Sequence, residues 1–162
     1  MIAIDSSSLI LMAKAGILDK VITSLKRKII ATACVYSETT RTETFDAQII
    51  KKRVEEKAIQ KKEIKNSKLF SKIKDDFNLG DGEAEAIVFC LENKTGLITD
   101  DKKAMNACRL LRIRFTTAPN LLIRLYKRSL ITKTEASLYL DKLEKFGRYS
   151  ENILQNTREE LK

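Results

Sequence analysis

The sequence predicts an α/β protein: a three-layer α/β/α sandwich with a central, mostly parallel sheet and extra C-terminal helices. Short apolar runs without polar alternation, such as Ile2–Ile4 and Ile29–Ala33, are typical of strands buried on both faces. Amphipathic segments separate these runs, as parallel strands joined by helices require. With 162 residues, 43% of them apolar, the chain is long enough to bury one substantial core.

The first elements begin at the N-terminus. Ile2–Ile4 is the first predicted strand, and the polar run that starts at Asp5 can cap a helix. Ile29–Ala33 is the second strand, and it is followed by a helix that begins near Cys34. Asp46–Glu56 has the spacing of a charged amphipathic helix, through Ile49, Ile50 and Val54.

The remaining elements continue the alternation of strands and helices. In order, they are a weak strand at Ala58–Ile64, a helix at Ser67–Phe77, a turn at Leu79–Gly82 that leads into another helix, a strand at Gly96–Thr99, a helix at Asp101–Arg112, a strand at Ile113–Thr117 and a set of helices from Pro119 to Lys162. We expect a single domain over residues 1–162, with a core of about residues 1–128 and a helical extension of about residues 129–162.

Two absences restrict the chemistry. The chain has no histidine, which excludes catalytic triads that use histidine and zinc proteases of the His-Glu-x-x-His type. It also lacks the G-x-x-x-x-G-K-[ST] motif of P-loop nucleotide-binding proteins, and Gly80-Asp-Gly82 lacks the third glycine of a dinucleotide-binding loop. Acid–base or metal chemistry must therefore depend mainly on Asp and Glu.

The positive charge of the chain is unevenly distributed. The formal net charge is +9, yet residues 48–74 carry +7 and residues 102–128 carry +8, so the rest of the chain is at −6. The first tract is equally compatible with a solvated lysine-rich surface. The second has eight basic residues and no acid, which favours binding of a polyanion such as RNA. We take Arg109, Arg112 and Arg124 as its candidate RNA-binding residues.

Acidic residues follow the predicted strands at the positions where a parallel sheet places its active site. Asp5 ends the first strand, Glu38 lies one turn into the helix after the second, and Asp100-Asp101 ends a later strand. Glu83 and Glu85 lie in the first turn of the helix after Gly82. Because active sites of such sheets lie outside the carboxyl ends of the strands, we expect these acids at one edge.

Several of these segments resemble the PIN-domain family. Ile2-Ala-Ile-Asp-Ser-Ser7 is similar to the family's opening strand, which ends in Asp followed by Ser or Thr, and Val35-Tyr-Ser-Glu38 is similar to its second acidic segment. Gly82-Glu-Ala-Glu-Ala-Ile87 closely matches the signature of a prokaryotic subgroup of the family. Leu97-Ile-Thr-Asp-Asp101 resembles the segment of its fourth acid, and the similarity continues to Phe146-Gly-Arg-Tyr-Ser150.

The resemblance implies a PIN-like fold and a nuclease that depends on Mg²⁺ or Mn²⁺ and cleaves RNA. It implies that the catalytic acids are Asp5, Glu38, Glu83 and Asp101, that the metal ligands come from Asp5, Glu83, Asp100 and Asp101, and that Ser7, Thr99 and Glu85 support them. Many prokaryotic members are the toxin of a toxin–antitoxin pair. The resemblance therefore also implies that this protein is such a toxin, that it has an antitoxin protein as a partner and that it forms a homodimer. The alternative is a degenerate PIN domain that binds RNA or a protein without cutting.

Two assignments within this set stay open. Glu83 and Glu85 lie about 100° to either side of the apolar stripe of their helix, so periodicity does not choose between them, whereas the family spacing favours Glu83. The Thr99-Asp-Asp101 segment fits the family pattern with Asp101 as the fourth acid, but Asp100 could be a second ligand and Asp101 could simply cap the next helix.

Three features of the sequence predict the cellular compartment of the protein. The N-terminus has no basic segment ahead of a long apolar stretch, and no apolar run is long enough to span a bilayer. Cys34, Cys90 and Cys108 are odd in number and widely spaced, which is not typical of a disulfide framework. We therefore expect a cytoplasmic protein without a membrane partner.

Overall fold

A computed structural model describes residues 1–162, and a single five-stranded sheet lies at its centre. All strand pairs are parallel, and the strand order is β3-β2-β1-β4-β5. The strands are β1 (Ile2–Ile4), β2 (Ile29–Thr32), β3 (Ile59–Lys62), β4 (Gly96–Ile98) and β5 (Phe115–Thr116).

Ten helices connect and follow these strands. They are α1 (Ser6–Ala15), α2 (Leu18–Ser24), α3 (Ala33–Thr40), α4 (Phe45–Glu55), α5 (Ser67–Phe77), α6 (Asp81–Asn93), α7 (Lys102–Leu110), α8 (Ala118–Lys127), α9 (Lys133–Phe146) and α10 (Glu151–Glu160). None of them is both long and apolar enough to cross a lipid bilayer.

Strand β1 lies at the centre of the sheet and determines where the strand order reverses. The chain proceeds from β1 through β2 to β3 on one side, and then returns to place β4 and β5 on the other. The reversal therefore lies between β1 and β4, which is where ligands bind in sheets of this kind. Ile4 is aligned with Ile98, so Asp5 and Thr99 leave the sheet side by side.

Helices cover both faces of the sheet, as predicted for a three-layer sandwich. On one face α6 packs against β1, β2 and β4 and contacts α5 and α7. The other layer includes α1, which packs against α4 and α9, and α8, which packs against α9 and α10. The apolar core is one connected cluster that extends from Ala3 to Leu161, so the C-terminal helices share it.

The elements agree with the sequence-based prediction apart from two details. Strand β5 contains two residues rather than the predicted Ile113–Thr117, because α7 ends at Leu110 and Arg112 has a positive φ of 56° that turns the chain. Helix α2 was not predicted. It has seven residues and no side-chain cap at Ile17, and it is held by burial of Leu18 and Val21.

Candidate active site at the carboxyl edge of the sheet

Asp5 follows β1 at the point where the strand order reverses, and its side chain is fully buried. One oxygen, Oδ1, caps helix α1 by accepting a hydrogen bond of 2.7 Å from the Ser8 N–H. The same oxygen accepts a bond of 3.1 Å from the Ser7 hydroxyl. The backbone N–H of Asp5 donates to the Ile98 carbonyl and so fixes the residue to β4.

The second oxygen of Asp5, Oδ2, is buried and has no hydrogen-bond partner. A buried polar atom without a partner is uncommon in folded proteins and costs free energy. Burial raises the pKa of Asp5 to about 6, opposed by the nearby Thr99 hydroxyl and by Ser8, and the charge of Asp100 adds to the rise. The Thr99 hydroxyl, which leaves β4 beside Asp5, is close enough to lower the pKa of Asp5 but makes no hydrogen bond to Oδ2.

Glu38 is held at the same edge by groups from two other helices. One of its oxygens accepts a short hydrogen bond from the Ser6 hydroxyl of α1, and the other accepts a bond of 3.1 Å from the Gly82 N–H of α6. A Cβ atom at position 82 would clash with both the Glu38 carboxylate and the Ser6 hydroxyl. Glycine at position 82 therefore allows α6 to lie close to both Glu38 of α3 and Ser6 of α1.

Glu83 caps its own helix. Its Oε2 accepts a bond of 2.6 Å from the Gly80 N–H, which is the reciprocal half of a capping box at the start of α6. Burial raises the pKa of Glu83, and the charges of Asp101 and Glu38 raise it further. The three carboxylates are therefore close enough to interact electrostatically.

The neighbouring residues Asp100 and Asp101 have different roles. Asp101 caps α7 through Oδ1, which accepts a bond of 2.8 Å from the Ala104 N–H. The oxygens of Asp100 accept hydrogen bonds from the Ser8 hydroxyl, the Ala118 N–H and the Tyr149 hydroxyl, at 2.9, 3.1 and 2.7 Å. Asp100 thus joins the end of β4 to α1, to α8 and to the segment before α10.

Glu85 is nearly buried and faces away from Glu83. Its Oε2 accepts a bond of 2.6 Å from the Cys34 N–H in the first turn of α3. A carboxylate at a helix N-terminus is stabilised by the helix dipole. Glu85 therefore positions α3, the helix that carries Glu38.

Three carboxylates share a pattern that bears on metal binding: Asp5, Glu83 and Asp101 each cap a helix with one oxygen, and the other oxygen accepts no hydrogen bond. No group of three or more acidic or cysteine side chains is close enough in the structure to form a preassembled metal site. The donor set is nevertheless all oxygen, which suits Mg²⁺ or Mn²⁺, and the unpaired Asp5 Oδ2 lacks a cationic or N–H partner. The donor types therefore fit a divalent cation, although the side chains are not gathered around one point in this structure.

The predicted RNA-binding arginines are spread over the surface, and only Arg109 borders the acidic edge, where it lines a cavity together with Asp100. The guanidinium of Arg109 lies over the ring of Phe115, 5.2 Å from its centroid. Arg112 is exposed at the turn after α7. Arg124 lines a cleft at the opposite, amino edge of the sheet, beside the first residues of β1 and β4.

Sequence reasoning did not identify Ser6, Ser8 or Tyr149, which hold Glu38 and Asp100 in place. Tyr149 is separated from Asp100 by 49 positions, and no local pattern indicates such a contact. For Ser6 and Ser8 the sequence indicated only a helix-capping role, whereas Ser7 was also a predicted supporting residue. A usable signal was their position directly after a strand that ends in Asp, because hydroxyls there can reach the neighbouring carboxylates.

Comparison with known proteins identifies the family but gives no individual relative. No curated protein and no solved structure matches the chain. A family model described as a PIN domain matches residues 1–162, the full length of the chain. The five-stranded parallel sheet between helical layers, with acids at the carboxyl edge, agrees with the fold predicted from the sequence. The chain therefore belongs to the PIN-domain family.

Proposed function

We propose that this PIN-domain protein is a divalent-metal-dependent endoribonuclease. The observation that carries the proposal is the buried Asp5 Oδ2, which has no partner and lies where the strand order of the sheet reverses. An ionised carboxylate in this position needs a compensating charge, because burial raises the pKa of Asp5 to about 6 and so disfavours the ionised form. PIN domains are generally nucleases, so the family and the site point to the same chemistry.

The ligands of the cation would be Asp5, Glu83 and Asp101, since each has a free oxygen. Between the two adjacent aspartates, Asp101 is the better ligand because the oxygens of Asp100 already accept several hydrogen bonds. Two carboxylates 4 Å apart repel by about 4 kcal/mol at an effective dielectric constant of 20. A bound Mg²⁺ or Mn²⁺ would offset this repulsion, activate water and neutralise the charge that develops on a phosphodiester.

The other residues of the edge orient the reacting groups. Glu38 is fixed by Ser6 and Gly82, so its carboxylate is available as an acceptor that orients the attacking water. The N-termini of α1, α6 and α7 all meet this edge, and their partial positive charges favour bound anions, including a substrate phosphate. Ser7 and Thr99 support Asp5 and the backbone of Asp101, respectively.

The proposal is tested with the Asp5→Asn variant, which keeps an Oδ1 acceptor for the helix cap and removes the charge. Wild-type protein should bind Mn²⁺ in titration calorimetry and gain about 2.7 kcal/mol of stability at a Mn²⁺ concentration of 100 times Kd. It should also cleave a labelled single-stranded RNA only when the cation is present. Asp5→Asn should lose both properties, whereas Asp141→Asn, at an exposed position on α9, should keep them.

Equal Mn²⁺ binding and RNA cleavage by wild type and Asp5→Asn would overturn the assignment of Asp5. The second candidate function, an RNA-binding PIN domain that does not cut, has one observation in its favour, the absence of a preassembled group of three acids. It predicts RNA binding without Mn²⁺-dependent stabilisation or cleavage. The same two measurements therefore separate the candidates.

The proposal includes the biological setting that the family resemblance implies. In this setting the protein is the cytoplasmic toxin of a toxin–antitoxin pair and forms a homodimer. Light scattering of the purified protein tests the dimer, and co-expression with the product of an adjacent short reading frame tests the pairing. Failure of the neighbouring product to suppress RNA cleavage would refute the toxin–antitoxin role and leave the nuclease proposal intact.

A further inference from the structure

A second concave surface lies at the amino edge of the sheet, away from the carboxylates. It is a cleft of about 810 Å³ formed where β1, β4 and β5 begin, between the α2–β2 connection and the end of α8. No acidic side chain lines it. Five basic residues do, and they are Lys26, Arg27, Arg114, Arg124 and Arg128.

These five cations have no counter-ions within the protein. None of them takes part in any of the ten ion pairs of the structure, and none donates a side-chain hydrogen bond. Eight lysines and arginines elsewhere in the protein do form ion pairs, as with Arg53 and Asp19 or Arg158 and Glu144. A cluster of unpaired cations raises the local potential and attracts anions, and it costs self-repulsion when no anion is bound.

The cleft is connected to the carboxylate edge through Phe115. This residue, in the outermost strand β5, lines both the basic cleft and a second cavity of about 610 Å³ at the carboxyl end of the same strand. The second cavity is lined by Arg109, Arg148 and Asp100, among other residues. Arg148 and Asp100 also line a small cavity that reaches Ser7 and Asp101. The three cavities therefore adjoin one another through shared lining residues and together form a path around the sheet edge. Basic, apolar and aromatic side chains line this path, and the acids Asp100, Asp101 and Glu160 line its carboxyl end.

We propose that this path binds a single-stranded RNA, with the backbone phosphates in the amino-edge cleft and a base stacked at Phe115, and leads it to the acids at the carboxyl edge. The identity of the ligand rests on the proposed ribonuclease function. Phosphates are bound by unpaired Lys and Arg, and exposed aromatic rings and guanidinium groups stack on unpaired bases. Phe115 is half-buried against the core with the exposed Arg109 guanidinium over its ring, so the guanidinium and the accessible part of the ring offer such a stacking site. A duplex would not present an unpaired base to it.

The path is long enough to involve several nucleotides. Arg114 to Thr117 covers three residue steps, or about 10 Å of extended chain. The cavities at either end extend the path further. A test RNA of about 12 nucleotides lies within the range of about 4–16 nucleotides that single-strand-binding folds cover.

The test measures binding separately from cleavage. Fluorescence anisotropy with a labelled, uridine-rich RNA of about 12 nucleotides, in EDTA and over about 50 to 200 mM NaCl, reports affinity without turnover. We compare wild type with the double variant Arg124→Gln/Arg128→Gln, whose side chains are exposed and unbonded, and with the matched control Lys68→Gln/Lys94→Gln, which removes the same charge elsewhere. Phe115→Leu tests stacking separately from charge.

If both arginines contact phosphates, the double variant should bind about 25-fold more weakly than wild type near 0.1 M salt, and its slope of log affinity against log salt should be less negative by about 1.4. Phe115→Leu should weaken binding with an unchanged slope. Equal affinities and slopes for the double variant and the Lys68/Lys94 control would overturn the path. Arginine-dependent binding by a protein that does not cut RNA with Mn²⁺ would support the path and refute the ribonuclease function instead.

Discussion

Replacing Asp5 with asparagine should change how the stability of the metal-free protein depends on pH. The Asp5 carboxyl is fully buried and its pKa is raised from 3.8 to about 6. One pKa unit corresponds to about 1.4 kcal/mol, so the ionised carboxylate destabilises the fold by about 3 kcal/mol. This penalty is absent below the unfolded-state pKa, develops as the pH rises from about 4 to 6, and is complete above about 7.

Asparagine does not titrate, so the stability difference between Asp5→Asn and wild type isolates this effect. The new amide group leaves a buried N–H₂ near the position of Oδ2, at a cost of about 1–3 kcal/mol, but that cost does not depend on pH. The amide oxygen can still accept the Ser8 N–H bond, because asparagine is a good helix cap. Between about pH 4 and pH 7 we therefore expect the variant to gain roughly 2 kcal/mol relative to wild type.

Urea unfolding in EDTA, followed by circular dichroism at several pH values, measures this difference. Asp141→Asn is the matched control, since Asp141 is exposed on α9 and makes no ion pair. A difference in unfolding free energy between Asp5→Asn and wild type that stays constant from pH 4 to 7 would refute the reasoning. It would mean that burial of the Asp5 carboxylate does not destabilise the fold in a pH-dependent way. The same would follow if the control showed an equal change.

Two further predictions concern the neighbours of Asp5. Glu83→Gln should weaken Mn²⁺ binding about 10- to 100-fold in calorimetry, because it removes the charge of a ligand while the contact with the Gly80 N–H can persist. Glu85→Gln should weaken Mn²⁺ binding less, because the Glu85 carboxylate caps α3. A larger loss of Mn²⁺ affinity for Glu85→Gln would reverse the assignment. Tyr149→Phe should lower the unfolding free energy by about 1–3 kcal/mol, because the hydroxyl donates to the largely buried Asp100. Tyr139→Phe, whose hydroxyl makes no hydrogen bond, should lower it by much less, and equal effects would contradict this explanation.

The position of the acids could be predicted from sequence because two local rules are sufficient. Buried parallel strands are short and apolar, and their carboxyl ends meet at one edge, so Asp5 and Asp101 could be placed together without knowledge of the strand order. The alignment of Ile4 with Ile98 confirms that β1 and β4 end side by side. The choice between Asp100 and Asp101 could not be made in this way, because it depends on which hydrogen bonds each carboxylate accepts.

Those hydrogen bonds come from residues far apart in the chain. Glu85 accepts from the Cys34 N–H, 51 positions away, and Asp100 accepts from Tyr149, 49 positions away. Helical periodicity placed Glu83 and Glu85 at equal angles from the apolar stripe, and only packing of α3 on α6 shows that Glu85 is engaged elsewhere. The path at the amino edge was also beyond sequence reasoning, since it joins Lys26 and Arg27 to a basic tract 75 or more positions further along the chain.

Helix capping and metal binding are not mutually exclusive roles for one carboxylate, because a carboxylate that caps a helix with one oxygen keeps the other oxygen free. Asp5, Glu83 and Asp101 each use one oxygen to fix the start of a helix and leave the other without a hydrogen bond. The caps thereby orient the free oxygens, at the cost of holding anionic groups near one another. Alanine substitutions would remove cap and ligand together. Amide substitutions keep the cap and remove the charge, so they test the chemistry of this edge separately from its folding.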